Sequence, residues 1–370
     1  MALDLKILIL SDANSIHTLK WVESIKEHHT NLMLFSLFRP KKDYLKRYIK
    51  LNIEVKTPDL KSKIRNIRNP NFSKFNYLLG LRQLKRIIND FQPDILHAHY
   101  ASSYGVLAFI SNFKPFILSV WGSDILDFPN RNFFNKWLLR KVINSATRIC
   151  STSQVMKKII CDNYNRYDIE LIPFGVDINF FSPGKNHSNK FTVGTIKSIE
   201  KHNGIDCLLD AASIIVNEYH KNDIHFLIVG EGSVLGEMKQ KATRLDLNDF
   251  VKFTSGVSHQ EIVEYHRKLS VFIAVSTRES FGVAVLEAAA CGVPAITSDI
   301  GGLPEVNENN KTGNVIKPNN PRDLANSIIE FYNNPVYRKK FGRNARERVV
   351  AKFDWENSVK KMINIYNQYL

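Results

Sequence analysis

Short apolar runs alternate with longer amphipathic stretches along the whole chain. Those of the first half lie at 6–10, 32–38, 93–98, 115–121 and 148–153, with helices expected at 15–28 and 81–90. Those of the second half lie at 190–196, 224–232, 249–257, 270–276, 294–298 and 313–316. Strands that alternate with helices are typical of a doubly wound parallel sheet. The pattern therefore predicts an α/β protein with two Rossmann-like domains.

The alternation breaks at residues 170–184, ELIPFGVDINFFSPG, which contain two prolines and two glycines. We expect a first domain at 1–172, a linker at 173–184 and a second domain at 185–354, followed by an amphipathic helix at 355–370. Ligands of such sheets bind at the carboxyl ends of the strands. The expected site is therefore a cleft where the carboxyl ends of the two sheets face each other.

Charge is distributed unevenly along the 370 residues, whose formal net charge is +15. Residues 1–185 hold 28 Lys and Arg against 15 Asp and Glu, and residues 186–370 hold 23 against 21. The excess is densest between Arg39 and Lys74. A basic first domain favours an anionic partner, such as a bilayer surface, a lipid-linked phosphate or a nucleic acid. The alternative is a solvated, lysine-rich surface without a partner.

Three further features bear on where the protein acts. No apolar run approaches the ~18 to 20 residues of a membrane span. The stretch MALDLKILILSDANS has an acid ahead of its apolar residues and no small-residue cleavage site, which predicts a first β-strand and not a signal peptide. The cysteines lack metal-ligand or redox spacing and favour a reduced, cytosolic protein: Cys150, Cys161, Cys207 and Cys291.

The most informative segment is 276–302, STRESFGVAVLEAAACGVPAITSDIGG, which follows the β-branched run 271–276. A strand, a glycine-containing turn and a helix start offer an anion free backbone N–H groups and the positive end of the helix dipole. Glu279 and Glu287 would repel a bare phosphate, but they suit a ligand that carries hydroxyls beside its phosphates, such as a nucleotide sugar. The alternative is an ordinary buried helix with two surface acids.

This segment resembles the signature of the retaining glycosyltransferases of family 4. The resemblance rests on E-x7-E, on FG after the first Glu, on A-x-A-x-G-x-P after the second, and on SDIGGLPE at 298–305. It implies the GT-B fold, in which two Rossmann-like domains face each other across a cleft. It also implies that the last helix crosses back from Trp355, so that 355–370 complete the first domain.

The resemblance assigns roles around the helix start. The donor diphosphate would lie at Phe281, Gly282 and Val283, Glu287 would hold ribose hydroxyls, and Glu279 would hold the donor sugar beside its anomeric carbon. The departing phosphate itself would take the acceptor's proton on the same face, which retains the anomeric configuration. The main catalytic effect is then electrostatic stabilisation of the leaving diphosphate. No metal is expected, because His17 and His99 lack metal-ligand company in the sequence, and no cofactor is expected either.

One further segment resembles the family but departs from its pattern. KFTVGTIKSIEKHNGID at 190–206 resembles the family's phosphate-gripping segment, but Thr195 stands in place of its arginine. Lys201 is the expected family lysine and Lys197 a substitute for the arginine, although an ammonium lacks the bidentate guanidinium fork. Exposed surface lysine is the alternative for both.

Residues on two strands are implied to contact the nucleotide. Gly230 and Gly232 would let the backbone approach it, and the backbone near Phe253 and Val257 would contact the base. The alternatives are a strand-to-helix turn that favours glycine and an aromatic side chain in the core. UDP is preferred to GDP on the resemblance alone.

The first half would contact the acceptor, and its match is looser. Trp121 replaces a histidine that many relatives carry, so a role for that histidine does not transfer. The remaining candidates have plain structural alternatives as helix caps, core hydrogen-bonding groups or surface residues; they are Asn14, Ser15, His17, His99 and, as a catalytic group, Asp124.

The stretch NRNFFNKWLLRKV at 130–142 places apolar residues on one broad helical face, with cations beside it. Packing against the first sheet is one interpretation, and interfacial membrane binding is the other. With the basic segment, it favours a cytoplasmic enzyme that is peripheral at the inner face of the membrane and acts on a lipid-linked sugar or glycan acceptor in bacterial surface-glycan assembly. A monomer is the default expectation, because the sequence carries no signal for the oligomeric state. The alternatives are a GT-B nucleotide-sugar 2-epimerase and a non-catalytic membrane or nucleic-acid binding protein. No nucleic-acid binding module is visible.

Overall fold

A computed structural model describes residues 5–29, 31–58, 80–184 and 190–369. The chain divides into two compact units, one formed by Met1–Ile172 with Val359–Leu370 and the other by Pro173–Ser358. Each unit has its own parallel sheet and its own hydrophobic core. The first unit is therefore built from two stretches of sequence, with the whole second unit between them.

The first unit contains seven strands and the helices that connect them. The strands are β1 Ile7–Leu10, β2 Leu32–Phe35, β3 Glu54–Lys56, β4 Ile95–His99, β5 Phe116–Val120, β6 Arg148–Ser151 and β7 Ile169–Leu171. The helices are α1 Ile16–Lys26, α2 Lys42–Lys50, α3 Leu81–Phe91, α4 Gly105–Ser111, α5 Ser123–Leu126, α6 Phe133–Ser145 and α7 Gln154–Tyr164. A π-helical turn, Tyr100–Tyr104, leads into α4.

The strand order of this sheet is β3-β2-β1-β4-β5-β6-β7, and every pair is parallel. β1, β4 and β5 are buried along their whole length, as expected of strands covered on both faces. Right-handed crossovers place α1 and α2 on one face, and α4, α6 and α7 on the other. All the strands end at one edge of the sheet, and the connecting helices begin on that side.

The second unit repeats this architecture with six strands. They are β8 Phe191–Ile196, β9 Ile224–Val229, β10 Val251–Thr254, β11 Val271–Ala274, β12 Ala295–Ser298 and β13 Gly313–Ile316, in the order β10-β9-β8-β11-β12-β13, all parallel. Its helices are α8 Ile205–Ser213, α9 Leu235–Arg244, α10 His259–Arg267, α11 Val283–Ala290, α12 Leu303–Val306, α13 Pro321–Asn333 and α14 Pro335–Lys352. α15, Trp355–Tyr366, follows.

Local sequence signals explain where several helices begin. The side chains of Ser153 and Asn334 each accept a backbone N–H in the first turn of α7 and α14. Ser258 and Glu261 form a reciprocal capping box at α10. Such caps satisfy N–H groups that have no partner inside the helix, and each stabilises by about 1 kcal/mol.

The two-domain parallel architecture expected from the apolar pattern is confirmed. The pattern missed α2 and β3, which lie within the basic segment, and it missed β7, which lies at the start of the predicted break. The part of the basic segment at 59–74 lies outside the described residues. Within the ranges that are described, no helix combines the length and the hydropathy needed to cross a bilayer.

The last helix is held in the first unit by a buried polar contact. The Tyr366 hydroxyl lies 2.6 Å from Nδ1 of His97 in β4, and Nε2 of His97 lies 2.8 Å from the Ser119 hydroxyl in β5. Tyr366 and His97 are fully buried. Since an unpaired buried polar group costs about 1 to 3 kcal/mol, this chain of hydrogen bonds fixes the end of α15 to the centre of the sheet.

Burial also makes His97 a source of pH-dependent stability. Burial lowers the pKa of His97 to about 3 from an ordinary value of 6.5. The unfolded chain therefore binds more protons between these values, and stability is lost as the pH falls from about 6.5 towards 3. Urea titrations at about pH 7 and pH 5 measure this effect as the free energy of unfolding. When the pH is lowered, we expect this free energy to fall more in the wild type than in His97→Gln, by up to ~1.4 kcal/mol per pH unit.

The matched control for this measurement is His28→Gln, because His28 is exposed. This variant should keep the wild-type slope. Equal slopes in the wild type and His97→Gln would show that the folded protein accommodates a protonated His97, contrary to the prediction.

Candidate active site

Two residues singled out from the sequence, Lys197 and Glu279, lie against each other in the second unit. Nζ of Lys197 is 3.1 Å from Oε2 of Glu279 and 2.9 Å from the hydroxyl of Ser276. The lysine and glutamate side chains are mostly buried, with exposed fractions of 12% and 22%. A charge pair so far removed from water interacts more strongly than a surface pair.

Strand order explains this meeting. Lys197 directly follows β8, Ser276 lies two residues after β11, and β8 and β11 are parallel neighbours. The carboxyl ends of the two strands therefore lie side by side, at the position where ligands of such sheets bind. The backbone N–H of Ser280 also donates to Oε1 of Glu279 at 3.1 Å, so both carboxylate oxygens have partners.

The chain then turns into α11 at Gly282, whose φ of 106° favours glycine. Phe281 is buried and packs edge-to-face on Phe353, which anchors the turn. The next residue, Val283, is the first of α11. A helix start leaves backbone N–H groups without intrahelical partners, and these attract anions. The sequence prediction placed this helix start correctly.

Two glycines pack closely against the backbone of the turn that carries Glu279. Gly301 has a φ of 56°, and a Cβ there would collide with the carbonyl oxygen of Glu279. A Cβ on Gly302 would lie 2.6 Å from the carbonyl oxygen of Ser280 and from Cα of Phe281. These glycines of the SDIGG motif are therefore required for close backbone packing beneath Glu279.

Glu287 lies on α11 beside a histidine that the sequence did not bring to attention. Nε2 of His266, in α10, is 3.5 Å from Oε2 of Glu287, which is longer than an ordinary hydrogen bond. The His266 ring is fully buried between Phe181 and Phe272. His266 could not be found from the sequence, because only the packing of α10 on α11 brings it beside Glu287.

Lys201 is not placed against Glu279. It is exposed at the start of the 3-10 turn Lys201–Asn203 and lines a surface pocket with Arg278 and Asp210. His202 lies in the same turn, and its pKa is lowered by burial and by the cations of Arg278 and Lys197. The lining of the pocket pairs two cations, Lys201 and Arg278, with two carboxylates, Asp206 and Asp210, and a phosphate contact by Lys201 stays a prediction.

Gly230 and Gly232 follow β9, and each has a neighbour within the protein that requires glycine. A Cβ on Gly230, whose φ is 147°, would collide with the carbonyl oxygen of Lys197, and one on Gly232 with that of Ile199. The backbone N–H of Gly230 donates to the carbonyl of Thr254 at 2.9 Å. The two glycines thus set the position of the backbone around Lys197, and their nucleotide contact stays a prediction.

The predicted base-contacting residues lie on and after β10. The half-buried Phe253 side chain packs against the core of the second unit, as the alternative interpretation expected. Val257 is half-buried in the loop before α10. The preceding residue, Gly256, has a φ of 69°, and a Cβ added to it would have no neighbouring atom within 4 Å. Contact between this backbone and a base stays a prediction.

In the first unit, three predicted acceptor-side residues form an aromatic cluster. The Trp121 ring is 4.4 Å from the ring of His99 and 6.1 Å from that of His17, and Tyr100 lies 5.3 Å away. Nδ1 of His99 is 3.0 Å from the Ser11 hydroxyl, and burial lowers the pKa of His99 well below its ordinary value. His99 is therefore a neutral ring at ordinary pH.

Asp124 lies beside this cluster but binds backbone groups. Its fully buried carboxylate accepts N–H groups of Ala101 at 2.8 Å, Gly122 at 2.8 Å and Trp121 at 3.3 Å. Burial raises its pKa, and these hydrogen bonds oppose the rise. The contacts account for Asp124 as a residue that holds the Trp121 loop, and a catalytic role stays a prediction.

Ser15 and Asn14 also have structural partners. The Ser15 hydroxyl caps α1 by accepting the N–H of Thr18. The Asn14 side chain donates to the carbonyl of Arg39 at 3.1 Å and accepts the N–H of Lys41 at 2.7 Å. Both side chains hold the loop after β1, and acceptor contact stays a prediction for them.

Metal-ligating side chains are dispersed over the part of the chain that the structure describes. Across the described ranges, no three or more His, Cys, Asp or Glu side chains are grouped so as to hold a metal ion. All four cysteines are free thiols, and burial raises the pKa of Cys150 and Cys291 to about 12. Metal independence was expected because His17 and His99 lack metal-ligand company in the sequence, and it stays a prediction.

Comparisons with known proteins agree with this geometry. The family model of glycosyl transferases group 1 matches residues 177–348, and that of glycosyl transferase 4-like proteins matches residues 6–153. An uncharacterized glycosyltransferase of Methanocaldococcus jannaschii is 27% identical over 81% of this chain and 83% of that protein. The poly(ribitol-phosphate) alpha-N-acetylglucosaminyltransferase of Staphylococcus aureus is 25% identical over 91% of this chain and 67% of that protein.

Solved structures share the fold. Anabaena HepE, crystallised with UDP and glucose, superposes with a TM-score of 0.81 over 98% of this chain and 99% of that chain, at 19% identity. The two family models divide the chain as the two sheets do, and together they include β1, the Lys197–Glu279 pair and α11. The chain therefore belongs to the glycosyltransferases of the family 4 type with the GT-B fold, and it is a transferase.

Proposed function

We propose that the chain is a retaining glycosyltransferase that moves a sugar from a UDP-sugar to a lipid-linked or glycan acceptor. We further propose that this acceptor belongs to a bacterial surface polysaccharide or glycoconjugate. The observation that carries the proposal is the Lys197–Glu279 pair, which lies beside the start of α11 at the carboxyl ends of β8 and β11. Two known proteins support the choice of donor and acceptor. HepE was crystallised with UDP and glucose, and the Staphylococcus aureus relative is named for transfer to poly(ribitol-phosphate).

In the proposed mechanism, the charges around α11 act on the leaving group. The diphosphate lies at the N–H groups that begin α11, and Lys197 is 3.1 Å from the carboxylate that would hold the sugar. As the bond to the anomeric carbon breaks, negative charge grows on the diphosphate, and a fixed cation and helix dipole stabilise it. The departing phosphate oxygen then takes the proton of the acceptor hydroxyl.

The two carboxylates have different tasks. Glu279 accepts hydrogen bonds from hydroxyls of the donor sugar, and Lys197 and Ser280 keep its oxygens in place. Glu287 accepts hydrogen bonds from the ribose hydroxyls, at the packed face between α10 and α11. Hydrogen bonds to an ionised carboxylate are about twice as strong as neutral ones, so loss of either group should weaken donor binding. No step requires a metal or a cofactor.

A donor screen tests the proposal. We expect one of UDP-GlcNAc, UDP-Glc, UDP-Gal or UDP-GalNAc to raise the unfolding temperature, because a ligand at about 100 times its Kd stabilises by ~2.7 kcal/mol. Glu287→Gln should remove most of the shift. Glu218→Gln is the matched control, because Glu218 pairs with Arg322 at an exposed site. A shift of the unfolding temperature with GDP-Man alone would contradict UDP as the nucleotide of the donor. No shift with any donor would contradict the proposed function.

The anomeric configuration of the product tests retention. Proton NMR of the freshly formed glycoside should show the same configuration as the donor. An inverted product would contradict the mechanism above. Conversion of the donor to its 2-epimer without any acceptor would support the epimerase alternative instead.

A further inference from the structure

We propose that the start of α6 is a docking surface for an anionic lipid bilayer. The α6 surface is defined by three aromatic residues and three cations: Phe133, Phe134, Trp137, Arg131, Lys136 and Lys141. The proposal rests on the proposed function in one respect, since a lipid-linked acceptor must be met at a membrane. Its own test, however, requires no sugar transfer.

The exposure of the aromatic side chains is the first observation. Phe133 is 84% exposed, Phe134 is 53% exposed and Trp137 is 46% exposed. The opposite face of α6 already packs in the core through Leu139 and Val142, so the helix does not need these rings for its own folding. Three large apolar side chains together on a surface mark an interaction site. Packing against the first sheet, the alternative in the sequence analysis, does not account for them.

Charge identifies the partner as anionic. Residues 128–161 contain seven Lys and Arg and no Asp or Glu. Lys141 lies over the ring of Trp137, with Nζ 5.9 Å from its centroid. Aromatic rings flanked by cations suit the boundary between acyl chains and headgroups, where rings insert and cations meet phosphate. A purely apolar protein partner would leave these cations without a counter-charge.

The chain fixes the α6 surface near the proposed acceptor cluster. Asn132 caps α6 by accepting the N–H of Asn135 at 2.8 Å, and the Asn135 side chain donates to the carbonyl of Phe128 at 3.1 Å. Phe128 is buried, and the loop behind it is held by Asp124, which binds the N–H of Trp121. Because α6 begins on the side where β4 and β5 end, a bilayer bound there would hold a lipid-linked acceptor beside Trp121.

Vesicle sedimentation tests the surface. We expect the wild type to bind vesicles of phosphatidylglycerol and phosphatidylcholine, and a triple variant Phe133→Ser, Phe134→Ser and Trp137→Ser to bind about 100-fold more weakly. Replacement of Arg131, Lys136 and Lys141 by Gln should remove most of the preference over pure phosphatidylcholine. The matched control is Val336→Ser, because Val336 is a 77% exposed apolar residue that belongs to the second unit.

Tryptophan fluorescence identifies the inserted residue. Trp137 is exposed, whereas Trp21, Trp121 and Trp355 are buried. Emission should therefore shift to shorter wavelength when anionic vesicles are added, and Trp137→Phe should abolish the shift while most of the binding remains. Binding with no shift in the wild type would overturn insertion at α6.

Two other outcomes would overturn the proposal. One is equal vesicle binding by the wild type and the aromatic triple variant. The other is loss of a wild-type dimer in that variant without any change in vesicle binding, which would make α6 a contact between copies. The donor-dependent thermal shift without vesicles should be the same in both proteins. Its absence in both would count against the proposed function, and its loss in the variant alone would show misfolding.

Discussion

Glu279→Gln should lower the rate of sugar transfer by about 100-fold, because the carboxylate positions the donor sugar beside its anomeric carbon and a small misplacement of reacting atoms has effects of this size. Gln has nearly the same volume but no charge, so it cannot pair with Lys197 at 3.1 Å or bind sugar hydroxyls as a carboxylate. The measurement is kcat with the donor found by the thermal screen. Glu218→Gln removes a carboxylate from an exposed pair with Arg322 and should leave kcat unchanged.

A double-mutant cycle tests whether Lys197 and Glu279 act together or independently. Lys197→Met should also reduce kcat, and the double variant should be less impaired than the product of the two single effects, because each single change leaves a partner without its counter-charge. Independent effects that multiply would contradict the idea that Lys197 and Glu279 act as one unit. A wild-type kcat in Glu279→Gln would show that the Glu279 carboxylate takes no part in the mechanism.

Gly301→Ala should destabilise the second unit by about 2 to 4 kcal/mol, because the left-handed backbone disfavours a side chain and the new Cβ would meet the carbonyl of Glu279. Urea unfolding measures this effect. At temperatures where the variant stays folded, we also expect reduced kcat, because the turn that carries Glu279 must shift to relieve the collision.

Gly256→Ala is the matched control for this prediction. Gly256 also has a positive φ, of 69°, but a Cβ there has nothing within 4 Å. This change should therefore cost only about 1 kcal/mol. Equal destabilisation by the two substitutions would mean that backbone conformation, and not packing under Glu279, explains the glycine at 301.

Sequence reasoning succeeded where a local rule determines the structure. The buried strands β1, β5 and β11 follow from continuous apolar runs, and the start of α11 follows from a glycine between a strand and an apolar helix. The likeness of 276–302 to a family motif added the fold of the whole chain. These signals lie within short stretches, so they survive without knowledge of tertiary packing.

Sequence reasoning failed where a high charge masks an apolar helix face, and where the contacting residues are far apart in the sequence. α2 is so rich in lysine and arginine that its apolar face was not recognised, although Tyr48 on it is fully buried. The contact of Lys197 with Ser276 joins residues 79 apart, and that of His266 with Glu287 depends on how α10 packs on α11. Strand order decides such contacts, and the apolar pattern does not reveal strand order.

The hydrogen bond between Tyr366 and His97 has a consequence for folding. Its two residues are 269 positions apart, and the whole second unit is synthesised between them. On the ribosome, the second unit can therefore close before the first unit receives its last buried tyrosine. Until then Nδ1 of His97 lacks its hydroxyl partner in the core, and formation of such a distant contact is slow. The half of the protein that is made first is thus the half that is completed last.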